Sequence, residues 1–136
     1  MKHIPNDPGR YGMIIGCGID IVKIERIEKI INRWGKSFTG KIFTSTEISY
    51  CSKKKAGVQS FAGRFAAKEA LLKALGSGLR GVCWKDAEVT NNRFGQPRFK
   101  VGGKLKIMIR EKKICKIFLT ISHTDEYAIA EVILEG

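Results

Sequence analysis

The chain has 136 residues, 43% apolar and 28% charged, which fits one globular domain and argues against both disorder and two domains. No apolar run reaches the roughly 20 residues that a membrane-spanning helix needs, and no secretory pattern stands at the start, so a soluble cytoplasmic protein is expected. The formal net charge of +12, from 25 Lys+Arg against 13 Asp+Glu, favours an acidic partner: nucleic acid, an anionic membrane, an acidic protein or a phosphate-rich ligand.

Residues 1–12 carry Pro5, Pro8 and two glycines and read as a flexible N-terminal extension, which leaves 13–136 as the single domain. From Met13 the run IIGCGIDIV reads as the first strand. Residues 24–34 read as a helix with an apolar stripe of Ile24, Ile27, Ile30, Ile31 and Trp34. A separate stripe carries Arg26, Lys29, Arg33 and Lys36, and Gly35 closes the helix. Thr44 and Glu47 match the capping-box pattern and predict a short helix through about Tyr50. Lys53, Lys54 and Lys55 read as a solvated loop.

The central helix is expected over 58–75, ending at Gly76 and Gly78. Helical spacing puts Phe61, Phe65, Leu71, Leu72 and Leu75 on one side and Ala66, Ala67, Ala70 and Ala74 on the other. A helix apolar or small all round is normally buried. Arg64, Lys68, Glu69 and Lys73 on it therefore need partners, and ions, phosphates or a neighbouring carboxylate are the candidates. Farther on, 87–90 and 98–101 flank the turn NNRFGQP, and 104–113 reads as a helix with Leu105, Met108 and Ile109 inward. Two strands, 114–122 and 127–134, are joined by the hairpin HTDE. The predicted fold class is α+β, a long central helix packed on a mainly antiparallel sheet. Cys17, Cys51, Cys83 and Cys115 form no CxxC pair, so they read as reduced thiols and not as a zinc site.

Several residues could carry chemistry. Asp20 is either a strand-end residue bonded to backbone or a metal ligand; with Glu69 it supplies two hard oxygens, which suits Mg²⁺. Glu69 and Lys73 are spaced as an ordinary helix salt bridge, worth about 0.3–0.5 kcal/mol at a surface, or else Lys73 faces a phosphate. Arg64 and Lys68 are like charges one turn apart; a bound phosphate would relieve their repulsion, unless Lys68 snorkels to water. His123 is either structural or a contact to a phosphate or base. The glycines of ALGSGLRG would let backbone approach a phosphate, although the spacing matches no nucleotide loop. The stripe of Arg26, Lys29, Arg33 and Lys36, followed by Lys41, is a solvated face or a dock for an acidic protein. An RNA-binding module would need aromatics among the surface cations, whereas the aromatics here fall mostly in apolar stripes.

Taken together, GIDIVKIERI over 18–27 and GRFAAKEALLKALGSG over 63–78 resemble the holo-acyl-carrier-protein synthase family, the small bacterial-type 4'-phosphopantetheinyl transferases. The ending SHTDEYAIAEVIL is similar to the family's closing hairpin and NNRFGQP to its preceding turn, so the resemblance spans Met13 to Glu135. It implies Mg²⁺-dependent transfer of the phosphopantetheine arm of coenzyme A to a serine of an acyl carrier protein, releasing adenosine 3',5'-bisphosphate and serving fatty acid biosynthesis. It implies that Asp20 and Glu69 hold the Mg²⁺ and that Lys73 meets phosphate, these three forming the catalytic set. Arg64, Phe65, Lys73, Pro97, His123 and Thr124 would contact coenzyme A, and Arg26, Arg33 and Lys41 the acidic carrier protein. It also implies a homotrimer with active sites between subunits, and neither nucleic acid nor membrane as a partner. Residues 1–12 are extra to the family pattern, and Cys17 stands where a small or aliphatic residue is more common.

Overall fold

Branched residues alternating with glycine and aspartate form strand β1 (Ile14–Lys23), which pairs antiparallel with β5 (Tyr127–Glu135). Strand β4 (Lys116–His123) pairs with the other edge of β5, giving a three-stranded sheet in the order β1-β5-β4. A second, two-stranded sheet joins β2 (Ala87–Asn91) to β3 (Pro97–Val101) around the turn expected between them. The computed structural model describes residues 12–76, 78 and 80–136, so the extension expected over 1–12 lies, but for Gly12, outside the described residues.

Helix α4 (Gly57–Leu75) lies on the inner face of the larger sheet. The contact is made by small residues on both sides. Ala66, Ala67 and Ala70 on the helix and Ala128 and Ala130 on β5 are buried. On β1, a Cβ at Gly18 would collide with the carbonyl oxygen of Ala70, and one at Gly16 with that of Ala74. The glycine pair thus lets helix backbone touch strand backbone. The opposite flank of α4 is buried too, at Phe61 and Leu71, by α1 (Ile24–Trp34), α2 (Lys36–Ile42) and α3 (Ser45–Ser52). Helix α5 (Gly103–Glu111) inserts Leu105 into the same core.

Lys68 does not snorkel, and its partner is not a phosphate. Its ammonium is buried and donates to Glu47 Oε1 (2.7 Å), to the Ile42 carbonyl (2.8 Å) and to the Trp84 carbonyl (3.3 Å). Glu47 also accepts the Thr44 amide in the expected capping box (2.9 Å) and the Val89 amide (3.0 Å). This hub joins the end of α2, α3, α4 and β2. Burial pushes the Lys68 pKa below its ordinary range, and the Glu47 charge opposes that shift.

Gly35 closes α1 as expected, and there the chain turns (φ 51°) straight into α2, with Phe38 and Ile42 facing the core. One expectation needs correction. Trp34 does not join the apolar stripe of α1. It is 57% exposed, because α1 ends there, and the Arg33 guanidinium lies 5.1 Å from its ring centroid. All four cysteines are free; Cys51 is buried, and burial raises its thiol to about 11.

Candidate active site

The inner-face alternation of β1 points Asp20 toward α4, where Glu69 and Lys73 stand one turn apart. Lys73 Nζ lies 3.1 Å from Asp20 Oδ1 and donates to the Ile19 carbonyl (3.0 Å). Glu69 accepts no hydrogen bond from any described residue. Its carboxyl is raised above the ordinary glutamate value, first by burial and then by the charge of Asp20, while Lys73 and Arg26 pull the other way. Asp20, Glu69, Lys73 and Arg26 of one chain therefore form a single electrostatic cluster.

The donor chemistry suits Mg²⁺. Among the described residues no group of three or more His, Cys, Asp and Glu gathers into a full protein cage. Mg²⁺ needs no such cage: it is commonly bound by one or two carboxylates and completes its shell with water and phosphate oxygens. Two neighbouring carboxylates, one with its proton affinity raised by burial and then by the other's charge, are a pair that a divalent cation would relieve.

Two clefts flank this helix. One, of about 450 Å³, is lined by Glu69, Leu72, Lys73, Gly76, Gly78 and Trp84. Phe65 backs it, stacked on Trp84 with ring centroids 5.7 Å apart, within an aromatic cluster that includes Phe38. Of the expected glycine loop, Gly76 and Gly78 border this cleft in left-handed conformations, whereas Ser77 and Leu79 lie outside the described residues.

The other cleft, of about 440 Å³, brings together Lys54, Lys55, Arg64 and His123 with Tyr50, Asn91, Gly95 and Pro97. Among the described residues no acidic one lines it, so it favours an anion. Gly63 opens its floor, since a Cβ there would crowd Ile121 Cγ2 at 3.1 Å. Thr124 caps the adjoining β4–β5 turn, its Oγ1 accepting the amides of Glu126 (3.2 Å) and Tyr127 (3.0 Å). A larger, shallow hollow of about 680 Å³ along α3, from Ser45 to Lys54, includes neither Asp20 nor Glu69 in its lining.

Arg26, Arg33 and Lys41 are exposed on α1 and α2, Arg26 close enough to Glu69 to act on its charge. Sequence reading missed Tyr50 and Asn91 and gave Lys54 and Lys55 only a solvated role. A half-buried helical tyrosine and a turn asparagine carry no signal of their own. The adjacent lysines just before the start of α4 are the hint that the sequence offers.

Residues 16–132 match the family described as the 4'-phosphopantetheinyl transferase superfamily. The holo-[acyl-carrier-protein] synthase of Geobacter sp. (strain M21) is 46% identical over 124 residues, covering 90% of this chain and 99% of the relative. The crystal structure of the Neisseria meningitidis holo-[acyl-carrier-protein] synthase superposes with a TM-score of 0.86 at 34% identity, covering 91% of this chain and all of that one (100%). The Helicobacter pylori synthase, solved in complex with coenzyme A, gives a TM-score of 0.77 at 33% identity, with coverage of 87% and 98%.

Proposed function

The chain belongs to the 4'-phosphopantetheinyl transferase superfamily, and we propose that it transfers the 4'-phosphopantetheine arm of coenzyme A to a serine of an apo acyl carrier protein. The products are the holo carrier protein and adenosine 3',5'-bisphosphate. The observation that carries this reading is the Asp20–Glu69–Lys73 constellation, with a basic cleft farther along the same helix.

In the reaction the serine oxygen bonds to the phosphorus that bears pantetheine. The bond from that phosphorus to the bridging oxygen breaks, and the bridging oxygen leaves with the bisphosphate as the serine proton is released. Such a transfer is mainly a matter of positioning and charge stabilisation. Asp20 and Glu69 would hold Mg²⁺, which when bound supplies charge neutralisation at the pyrophosphate. Lys73, solvent-exposed and already aimed at Asp20, offsets negative charge on the departing bisphosphate. Arg64, His123 and Pro97 receive the nucleotide end of coenzyme A in the basic cleft. Phe65 contributes from behind, by fixing Trp84, and Thr124 by fixing the turn beside His123. Arg26, Arg33 and Lys41 steer the acidic carrier protein.

A homotrimer is part of the proposal. The outer face of the β1-β5-β4 sheet leaves Ile19 and Ile21 exposed on β1 and Phe118 exposed across β5 on β4, apolar surface that a monomer would hold in water. A cytoplasmic location accords with the described residues, in which no helix is long and apolar enough to cross a membrane.

The test is direct. The protein is incubated with apo carrier protein, coenzyme A and Mg²⁺, and the carrier protein is weighed by mass spectrometry. A gain of one phosphopantetheine, stopped by chelator and restored by Mg²⁺, is expected; an unchanged mass would overturn the reading. Sedimentation of the purified protein as a trimer checks the assembly.

A further inference from the structure

Resting on that reading, we infer that Asn91 is a positioning residue for coenzyme A: it sets the Arg64 guanidinium and the β2–β3 turn as one unit facing the basic cleft. Arg64 is buried, and its guanidinium carbon lies 4.2 Å from the centroid of the Tyr50 ring. Tyr50 supplies a flat surface but no hydrogen bond to fix rotation in that plane. That bond comes from across the fold: Arg64 Nη2 donates to Asn91 Oδ1 at 2.6 Å.

The other half of the same amide is also engaged. Asn91 Nδ2 donates to the Gly95 carbonyl at 2.9 Å. Gly95, at φ 82°, lines the cleft with Pro97, and the turn between is held by Asn92 Oδ1, which accepts the amides of Phe94 and Gln96 at 2.9 Å each. One side chain therefore connects the cation on α4 to the wall on the β hairpin. The amide serves both partners at once, its oxygen accepting from the guanidinium and its nitrogen donating to the carbonyl. Among the described residues Arg64 Nε is buried without a hydrogen-bond partner, so the guanidinium has no second protein bond to hold it if Asn91 lets go.

Steady-state kinetics with each substrate varied separately tests this, with Asn91→Ala, Asn91→Asp, Arg64→Ala and the double variant Asn91→Ala/Arg64→Ala. Losing a hydrogen bond to a charged group should raise KM for coenzyme A about tenfold in Asn91→Ala. Both kcat and KM for the carrier protein should stay within about twofold. Asn91→Asp keeps the size, but it sets a carboxylate against the Gly95 carbonyl and neutralises Arg64; it should raise the same KM and so carries the test if the alanine variant folds poorly. The double variant should be no worse than Arg64→Ala alone, because the asparagine acts through the arginine. Multiplying effects, or a KM within twofold in both single Asn91 variants, would overturn the inference while leaving the transferase reading intact. Wild-type protein that neither binds coenzyme A by calorimetry nor modifies the carrier protein would instead overturn the reading beneath it.

Discussion

Lys68 and Lys73 project from the same helix, and each meets a carboxylate, at 2.7 Å from Glu47 and 3.1 Å from Asp20. The first pair is closed to solvent, with its two side chains 1% and 0% exposed, while the second stands at 55% and 15%. The contrast extends to hydrogen bonding. Lys68 has three acceptors and Glu47 three donors, so nothing remains for a ligand to satisfy. At the open pair, Glu69 waits beside Asp20 with no hydrogen bond from a described residue and its proton affinity raised. Distance alone does not separate a structural charge from a working one; spare bonding capacity at a solvent-facing position does.

The largest effect expected is on the closed pair. Lys68→Met would strand the Glu47 carboxylate in the core and should cost roughly 3–5 kcal/mol in denaturant unfolding. Lys73→Met should cost under about 1 kcal/mol, as an exposed pair does. Equal losses would erase the distinction between the two pairs. Activity should divide the other way. Asp20→Ala or Glu69→Ala should lower transfer roughly a hundredfold to a thousandfold with the melting temperature close to wild type, and a variant that keeps a tenth of wild-type turnover would remove that carboxylate from the site.

A smaller change is expected on the outer helices. Arg26→Glu with Arg33→Glu should lower kcat/KM for the carrier protein about tenfold at low salt, mostly through association, with KM for coenzyme A little altered. Near 1 M salt, where screening reaches only about 3 Å, variant and wild type should converge. A gap that survives high salt would mean that contact, not steering, is being measured. The smallest effect concerns pH. The folded-state pKa of Glu69 is raised, so its contribution to stability is present below the ordinary glutamate value of 4.5 and is lost as pH rises through the raised one. Without metal, Glu69→Gln should therefore flatten the decline in melting temperature across that window by about 1–2 °C. Mg²⁺ should stabilise wild type more at the upper end, where the carboxylate is free to bind it. A slope unchanged by the substitution would assign it to other groups.

Much of this was legible because it is local. Periodicity marked α4 as buried on all sides, the Thr44–Glu47 spacing marked the start of α3, and the strand–glycine–Asp20 pattern put a carboxylate where α4 could meet it. What escaped depends on partners distant in the chain. Nothing near Lys68 says that its counter-charge is Glu47, which its own helix uses as a cap. Asn91 reads as one more turn residue until the fold sets it against Arg64. Trp34 has the spacing of a core residue and fails to be one because the helix stops beneath it, at a glycine whose signal was read as an end and not as a corner into α2.

Gly16 and Gly18 touch no proposed ligand, yet they govern the reach of those that do. The gap between the Asp20 strand and the Glu69 helix is gauged by two missing methyl groups, since a side chain at either glycine would meet a helix carbonyl. An alanine at Gly18 would lever α4 outward and widen the span between the two carboxylates proposed to hold the cation. Residues that contribute no atom to the chemistry are therefore held as tightly by it as the carboxylates themselves, and the least tolerant positions in β1 should be those where nothing projects.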